Sequence, residues 1–212
     1  MSKKIKKLIK KYQNQLTYRV EKIHGQHIKT LEISTDHHQH VHRIYIPDNN
    51  VRDIEILHEI GHAILSETVN RLFSTATIRS SNRFILDTLT PAIRAADDWF
   101  VDQWLIEISP DEERKEIDDH YRLTMKRAQH APVIDIEMAI GVSFILAQAE
   151  KYLGLKNGIA DPTIQLAKGV FLSEDPKKPT VAKLQNVING LLSTYTSYQV
   201  KYEDDEWEVI GK

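Results

Sequence analysis

Cysteine is absent from the 212 residues, which removes disulfide bonds, a thiol nucleophile and thiolate zinc sites together and says little about compartment. Long apolar runs are missing too: the longest candidates, near Ile140 to Ala149, are broken by polar residues or too short to cross a bilayer. The N-terminus is basic, but its apolar residues are spaced rather than continuous, so no secretory signal is expected there. Charge is nearly balanced, with a formal net value of −2, and gives no electrostatic argument for nucleic acid as the main partner. No internal repeat is evident, and the length suits one domain or two closely packed ones with chain enough to bury a core. The expectation from these absences is a cytoplasmic protein with no membrane span and no clear nucleic-acid binding. Oligomeric state is unknown from the sequence.

What is present is His58-Glu59-Ile60-Gly61-His62. On a helix, residues i and i+4 share a face, so His58 and His62 can turn both imidazoles toward one ion. Glu59 sits about 100° around the helix from His58, where it can face a water beside the metal rather than the metal itself. A general base needs that position. Pro47-Asp48-Asn49-Asn50 reads as a turn, with Asn50 as N-cap and Asp53 as its capping-box partner. Ile54, Leu57, Ala63, Ile64 and Leu65 make the segment apolar around much of its circumference, as in a helix inside a domain. Gly61 costs such a helix roughly 1 kcal/mol against Ala, which points to a need for small size there. The competing reading is a buried helix whose two histidines hydrogen-bond to backbone carbonyls.

Catalytic zinc normally takes three protein ligands and leaves a fourth position to water. A metzincin would place a third histidine six residues after His62, where this chain has Thr68, and no histidine follows until His120. A carboxylate is the other option. Ala95-Ala96-Asp97-Asp98-Trp99-Phe100-Val101-Asp102 supplies three within an otherwise apolar stretch. Thr90-Pro91 reads as an N-cap followed by proline at N1, so a helix is expected from Pro91 to about Ile108. Asp98 and Asp102 then lie one turn apart on one face, an arrangement in which one carboxylate binds the ion and the other orients a ligand imidazole.

In these residues the chain resembles the gluzincin zinc peptidases, whose second motif is a Glu three residues before Ala-Asp or Ser-Asp on a helix after HExxH. The resemblance implies a Zn2+ cofactor held by His58, His62 and Asp98, with Glu59 as catalytic base and Asp102 as the partner that orients a ligand. The family ligand is normally Glu, and Asp, one methylene shorter, requires a closer approach of the helix. Asp97 remains a rival to Asp98. A looser likeness is to the IrrE/ImmA-like zinc peptidases, which carry HE-Leu/Ile-GH after a short strand and an acidic-aromatic helix later. Arg43-Ile44-Tyr45-Ile46 and Trp99-Phe100 follow that layout, although aligning Phe100 with that family's Phe puts Ala96 where its acidic ligand belongs.

Elsewhere, Ile5, Leu8, Ile9, Tyr12 and Leu16 recur at helical spacing among lysines, forming an amphipathic basic helix. Contact with an anionic surface is conceivable, but the lysines are expected to be the solvated face of a helix packed on its domain. Tyr18–Ile23, Ile28–Ile33 and Val41–Ile46 suggest three short strands. His38, His40 and His42 would share a strand face and could chelate a metal without catalytic purpose; an exposed hairpin end is the preferred expectation for the His37–His42 cluster. After Pro110 the chain reads helical: a charged helix toward His130, another from Val133 to Leu153 closing at Gly154, and two more starting at Asp161-Pro162 and Thr180. His120, Tyr121 and His130 are weak candidates for stabilising an oxyanion. The acidic tail from Tyr195 is left open between a strand and an arm.

The fold expected is α+β, with a small N-terminal antiparallel sheet packed on the HExxH helix, followed by a mostly helical C-terminal part. Its domains would be 1–130, with the basic helix and the zincin-like site, and 131–212. The function expected is that of a zinc metallopeptidase acting on a protein or peptide substrate, hydrolysing it with a metal-activated water and Glu59 as base. The alternatives are a zinc-binding regulatory module of peptidase ancestry and a helical binding protein in which the motif is coincidental.

Overall fold

The computed structural model describes residues 3–74, 78–79, 83–128, 135–156, 159–204 and 206–211. It is α+β: a small three-stranded sheet near the N-terminus and a mostly helical remainder. The chain divides into two compact units, Met1–Ala76 and Thr77–Lys212. The sequence places a division at residue 130 instead. Long helices on both sides of that point pack on one another, which groups them in one unit.

In the first unit, α1 (Lys3–Gln13) packs against α2 (Asp53–Thr68), burying Ile5 and Ile9 on the side opposite its lysines. Three strands intervene: β1 (Arg19–His24), β2 (Glu32–Asp36) and β3 (Val41–Ile46), in the order β1-β3-β2. β3 takes the centre because it is the most apolar, with Val41 and Ile44 fully buried. The sheet is mixed rather than antiparallel: β2 runs antiparallel to β3, but β1 runs parallel to it. The short link between β2 and β3 forces an antiparallel pair, and β1, running opposite to β2, then meets the free edge of β3 in parallel. Asp36 fixes the hairpin by accepting from the backbone N–H of His38 at 3.1 Å and Gln39 at 3.0 Å. That turn pulls the second strand to Glu32–Asp36, later than Ile28–Ile33.

The start of α2 also differs from expectation. Its N-cap is Arg52, not Asn50, and the Glu55 carboxylate, not Asp53, accepts from the Arg52 backbone N–H at 2.7 Å. Half of the capping box forms, two residues further on: Glu55 meets the Arg52 N–H, but the arginine side chain has no acceptor to return.

In the second unit, α3 (Arg83–Ile108) begins well before Pro91, which lies inside the helix rather than at N1. A proline there removes a hydrogen bond and costs about 3 kcal/mol. Leu89, Ala92, Ile93 and Ala96 are all buried, an apolar stripe that runs unbroken across the proline. Burial contributes roughly 1.5–3 kcal/mol for each large member, enough to carry the helix through. α4 (Pro110–Ala128), α5 (Ile136–Leu153), α6 (Pro162–Ser173) and α7 (Val181–Tyr195) follow. Their ends match the capping residues: Asp161 accepts from Thr163 and Ile164, Thr180 from Lys183, and Gly154 closes α5 at φ 71°, a left-handed conformation natural to glycine. Trp99 of α3 is fully buried beside Phe171 of α6, with ring centroids 5.5 Å apart.

A second sheet, ordered β4-β6-β5, joins β4 (Ile78–Arg79) to two tail strands, β5 (Tyr198–Glu203) and β6 (Glu206–Gly211). It resolves the open choice in favour of strands. Among the described residues no helix is long and apolar enough to cross a membrane.

Candidate metal centre

His58, Glu59 and His62 all lie on α2, and the helix brings the two imidazoles together: Nε2 of His62 is 3.1 Å from Nε2 of His58, with the rings edge to face. His62 is fixed from its other side. Its Nδ1 lies 2.7 Å from the Phe73 carbonyl oxygen, so Nδ1 carries the proton and Nε2 of the neutral ring carries a lone pair. Phe73 belongs to a short 3₁₀ turn, Arg71–Phe73, which packs on α2. Asn70 caps this turn by accepting from the Leu72 N–H at 3.1 Å, while Leu72 and Phe73 are buried as its anchor.

This geometry tests whether the pair suits an ion. Two nitrogens each about 2.1 Å from a tetrahedral zinc would stand about 3.4 Å apart; the observed 3.1 Å is within a few tenths of an ångström. A hydrogen bond from a ligand imidazole's other nitrogen to a backbone carbonyl is also what metal-binding histidines use to fix tautomer and orientation. The competing sequence reading, histidines held by backbone carbonyls, accounts for Nδ1 of His62; the 3.1 Å approach of the two Nε2 atoms is the length of an N–H···N hydrogen bond as well as that of two ligands on one ion. Glu59 is largely buried, at 9% exposure, and Gly61 is buried in the same helix.

The other expected site residues lie on α3, in the second unit. Asp98 is half-buried, and Asp102, one turn later, is buried. Gln148 of α5 donates from Nε2 to Asp102 Oδ2. Gln103, next in the chain, continues a polar layer by donating to Glu107 Oε1 at 2.9 Å and accepting from the Tyr152 hydroxyl at 3.1 Å. Burial, helped by the carboxylates of Asp102 and Glu113, raises the Tyr152 phenol well above its usual range. Asp97, the rival ligand, is buried. Among the described residues, His58 and His62 of the first unit and Asp98 of the second carry donor atoms that suit a metal ion; they do not identify the metal.

The histidine cluster is not a strand face. Residues 37–40 form the turn, His38 and His40 are exposed, and only His42 sits on β3. His42 is fully buried with both nitrogens engaged: Nδ1 lies 2.7 Å from the Thr35 hydroxyl and Nε2 2.9 Å from Glu67 Oε1. Burial pushes the His42 pKa down, against the pull of Glu67. A neutral ring that accepts from Thr35 and donates from Nε2–H to Glu67 satisfies every contact. Glu67, near the end of α2, also accepts from the Thr17 and Tyr18 backbone N–H groups at 2.7 and 2.9 Å and from the Thr17 hydroxyl at 2.8 Å. These bonds hold its carboxyl below the usual range despite burial. Tyr18 stacks on His42, with ring centroids 5.2 Å apart.

His120 is exposed on α4 and lies 3.3 Å from Glu116, and His130 lies outside the described residues. Sequence reasoning missed the Phe73 carbonyl, the Glu67–His42 contact and Gln148. Comparison with protein-family models, curated proteins and solved structures finds no match in any of the three.

Proposed function

We propose that this chain is a zinc-dependent peptidase of the HExxH type, in which His58, His62 and Asp98 hold the ion and Glu59 is the general base. The observation that carries the reading is the convergence of His58 and His62 at 3.1 Å, with His62 set in the ligand tautomer by Phe73. Two imidazoles and a carboxylate are also a donor set that catalytic zinc uses.

Zinc bound there would lower the pKa of a water and polarise a peptide carbonyl. Glu59 accepts the proton of the attacking water and returns it to the leaving amine, and its burial strengthens its interaction with that proton. Asp98 is preferred over Asp97 because it shares a face of α3 with Asp102, so one carboxylate can bind while the next orients an imidazole. The Phe73 carbonyl occupies Nδ1 of His62. β2, an edge strand that contacts α2, is where an extended peptide would add by strand pairing.

A second reading, a zinc-binding regulatory module without turnover, is favoured by one feature, the aspartate at position 98 where the resembling peptidases have glutamate. Zinc content and hydrolysis of casein and a mixed quenched-peptide library, measured on wild type and Glu59→Gln, separate the two. Equal zinc with hydrolysis only in wild type supports the peptidase. Zinc in both with hydrolysis in neither leaves the regulatory module.

A further inference from the structure

We infer that α1 is a docking surface for the phosphate backbone of a nucleic-acid duplex. Of its eleven residues, six are lysine: Lys3, Lys4, Lys6, Lys7, Lys10 and Lys11, and all six are exposed. Among the described residues none forms an ion pair; the one contact recorded is Lys11 with the Tyr12 beside it. At 100° per residue, all but Lys6 fall on one arc of the helix, over a length of about 12 Å. The opposite side, Ile5 and Ile9, is buried against α2. The stripe is therefore held rigidly on the domain.

The near-zero net charge conceals this face. The unit Met1–Ala76 carries twelve lysines and arginines against eight acids, whereas Thr77–Lys212 carries sixteen against twenty-two. The first unit is therefore cationic, and half of its cationic side chains stand on α1.

Three features choose the partner. A membrane-surface helix buries apolar side chains among the headgroups, but here those side chains are already inside the protein. A protein interface favours arginine and aromatics at its centre and is depleted in lysine, and the exposed stripe holds neither. Lysine acts as a compact point charge that contacts phosphate without reading bases. A polyphosphate backbone, bound without sequence preference, fits all three.

Salt dependence is the test. Binding of a fluorescein-labelled 20-base-pair duplex to the full chain is followed by anisotropy from 50 to 200 mM NaCl. Five phosphate contacts give a slope of about −4.5 in log K against log salt, a loss of roughly 500-fold across that range. Replacing Lys3, Lys4, Lys7, Lys10 and Lys11 together by Gln, which keeps the helix propensity and the buried isoleucines, should abolish measurable binding at 50 mM. The same five changed to Arg should retain both binding and slope, so a folding failure in the Gln variant does not decide the matter. Undetectable duplex binding by wild type at 50 mM would overturn the inference. So would a slope unchanged in a folded Gln variant, loss of binding in the Arg variant, or tighter binding to vesicles containing phosphatidylserine than to the duplex.

Discussion

His42 and the His58–His62 pair lie in the same unit, yet their nitrogens serve opposite ends. Both nitrogens of His42 are used within the protein, one by Thr35 and one by Glu67, and burial keeps the ring neutral. The Glu67 carboxylate in turn holds the backbone at Thr17 and Tyr18. This site is a tie between the end of α2, the central strand and the segment entering β1. In the pair, by contrast, Nδ1 of His62 meets the Phe73 carbonyl, and the two Nε2 atoms face one another at 3.1 Å. One histidine closes the fold, and two are placed where they could bind an ion. His42 is fully buried and the pair half-buried, and the direction of the second nitrogen separates them further.

The two sites should separate cleanly under mutation. The largest effect belongs to Glu59→Gln, which should lower peptide hydrolysis by about 10²- to 10⁴-fold while zinc per chain stays unchanged; turnover assays beside metal analysis check it. Next, Glu67→Ala should cost about 3–5 kcal/mol in urea unfolding, because it strips the partner from a buried His42 and from two backbone donors, without changing zinc stoichiometry.

The same tie sets a pH response. The His42 pKa is lowered in the fold, so the unfolded chain binds its proton more tightly, and stability falls as pH drops below the ordinary histidine range near 6.5. The Glu67 pKa is also lowered, so its contribution is present above the ordinary value of 4.5 and lost as pH falls through the folded value. Wild type should therefore lose stability in two steps on acidification, and Glu67→Ala should lack the lower one in a urea series.

A smaller effect is expected at Asn70, whose side chain caps the turn that presents the Phe73 carbonyl. Asn70→Ala should cost about 1 kcal/mol of stability and weaken zinc binding about 10-fold by loosening His62, measured by competition with a chelator. The smallest belongs to the exposed turn: His38→Ala with His40→Ala should leave zinc affinity and stability unchanged within error.

Much of this was legible in local pattern. The HExxH spacing places two imidazoles on one face, and the caps at Asp161, Thr180 and Gly154 mark helix ends because each acts on its own neighbours. Pro91 misleads because a tertiary cause, the buried stripe from Leu89 to Ala96, overrides a local one. Strand β4 has two residues, Ile78 and Arg79, too few for any periodicity. The alternation Tyr198-Gln199-Val200-Lys201-Tyr202-Glu203 does carry a period of two, with Val200 buried, and could have settled the tail as a strand. The Phe73 carbonyl was invisible because every residue has one, and Glu67 because its partner His42 is 25 residues away. Local chemistry showed which histidines could bind; only the fold showed which one could not.

Zinc per chain, measured by plasma mass spectrometry on wild type, His62→Ala and His42→Ala after identical dialysis, bears most directly on that distinction. One zinc in wild type and in folded His42→Ala, with none in His62→Ala, is the result expected. Zinc retained by His62→Ala, or absent from wild type after dialysis against zinc, would contradict it.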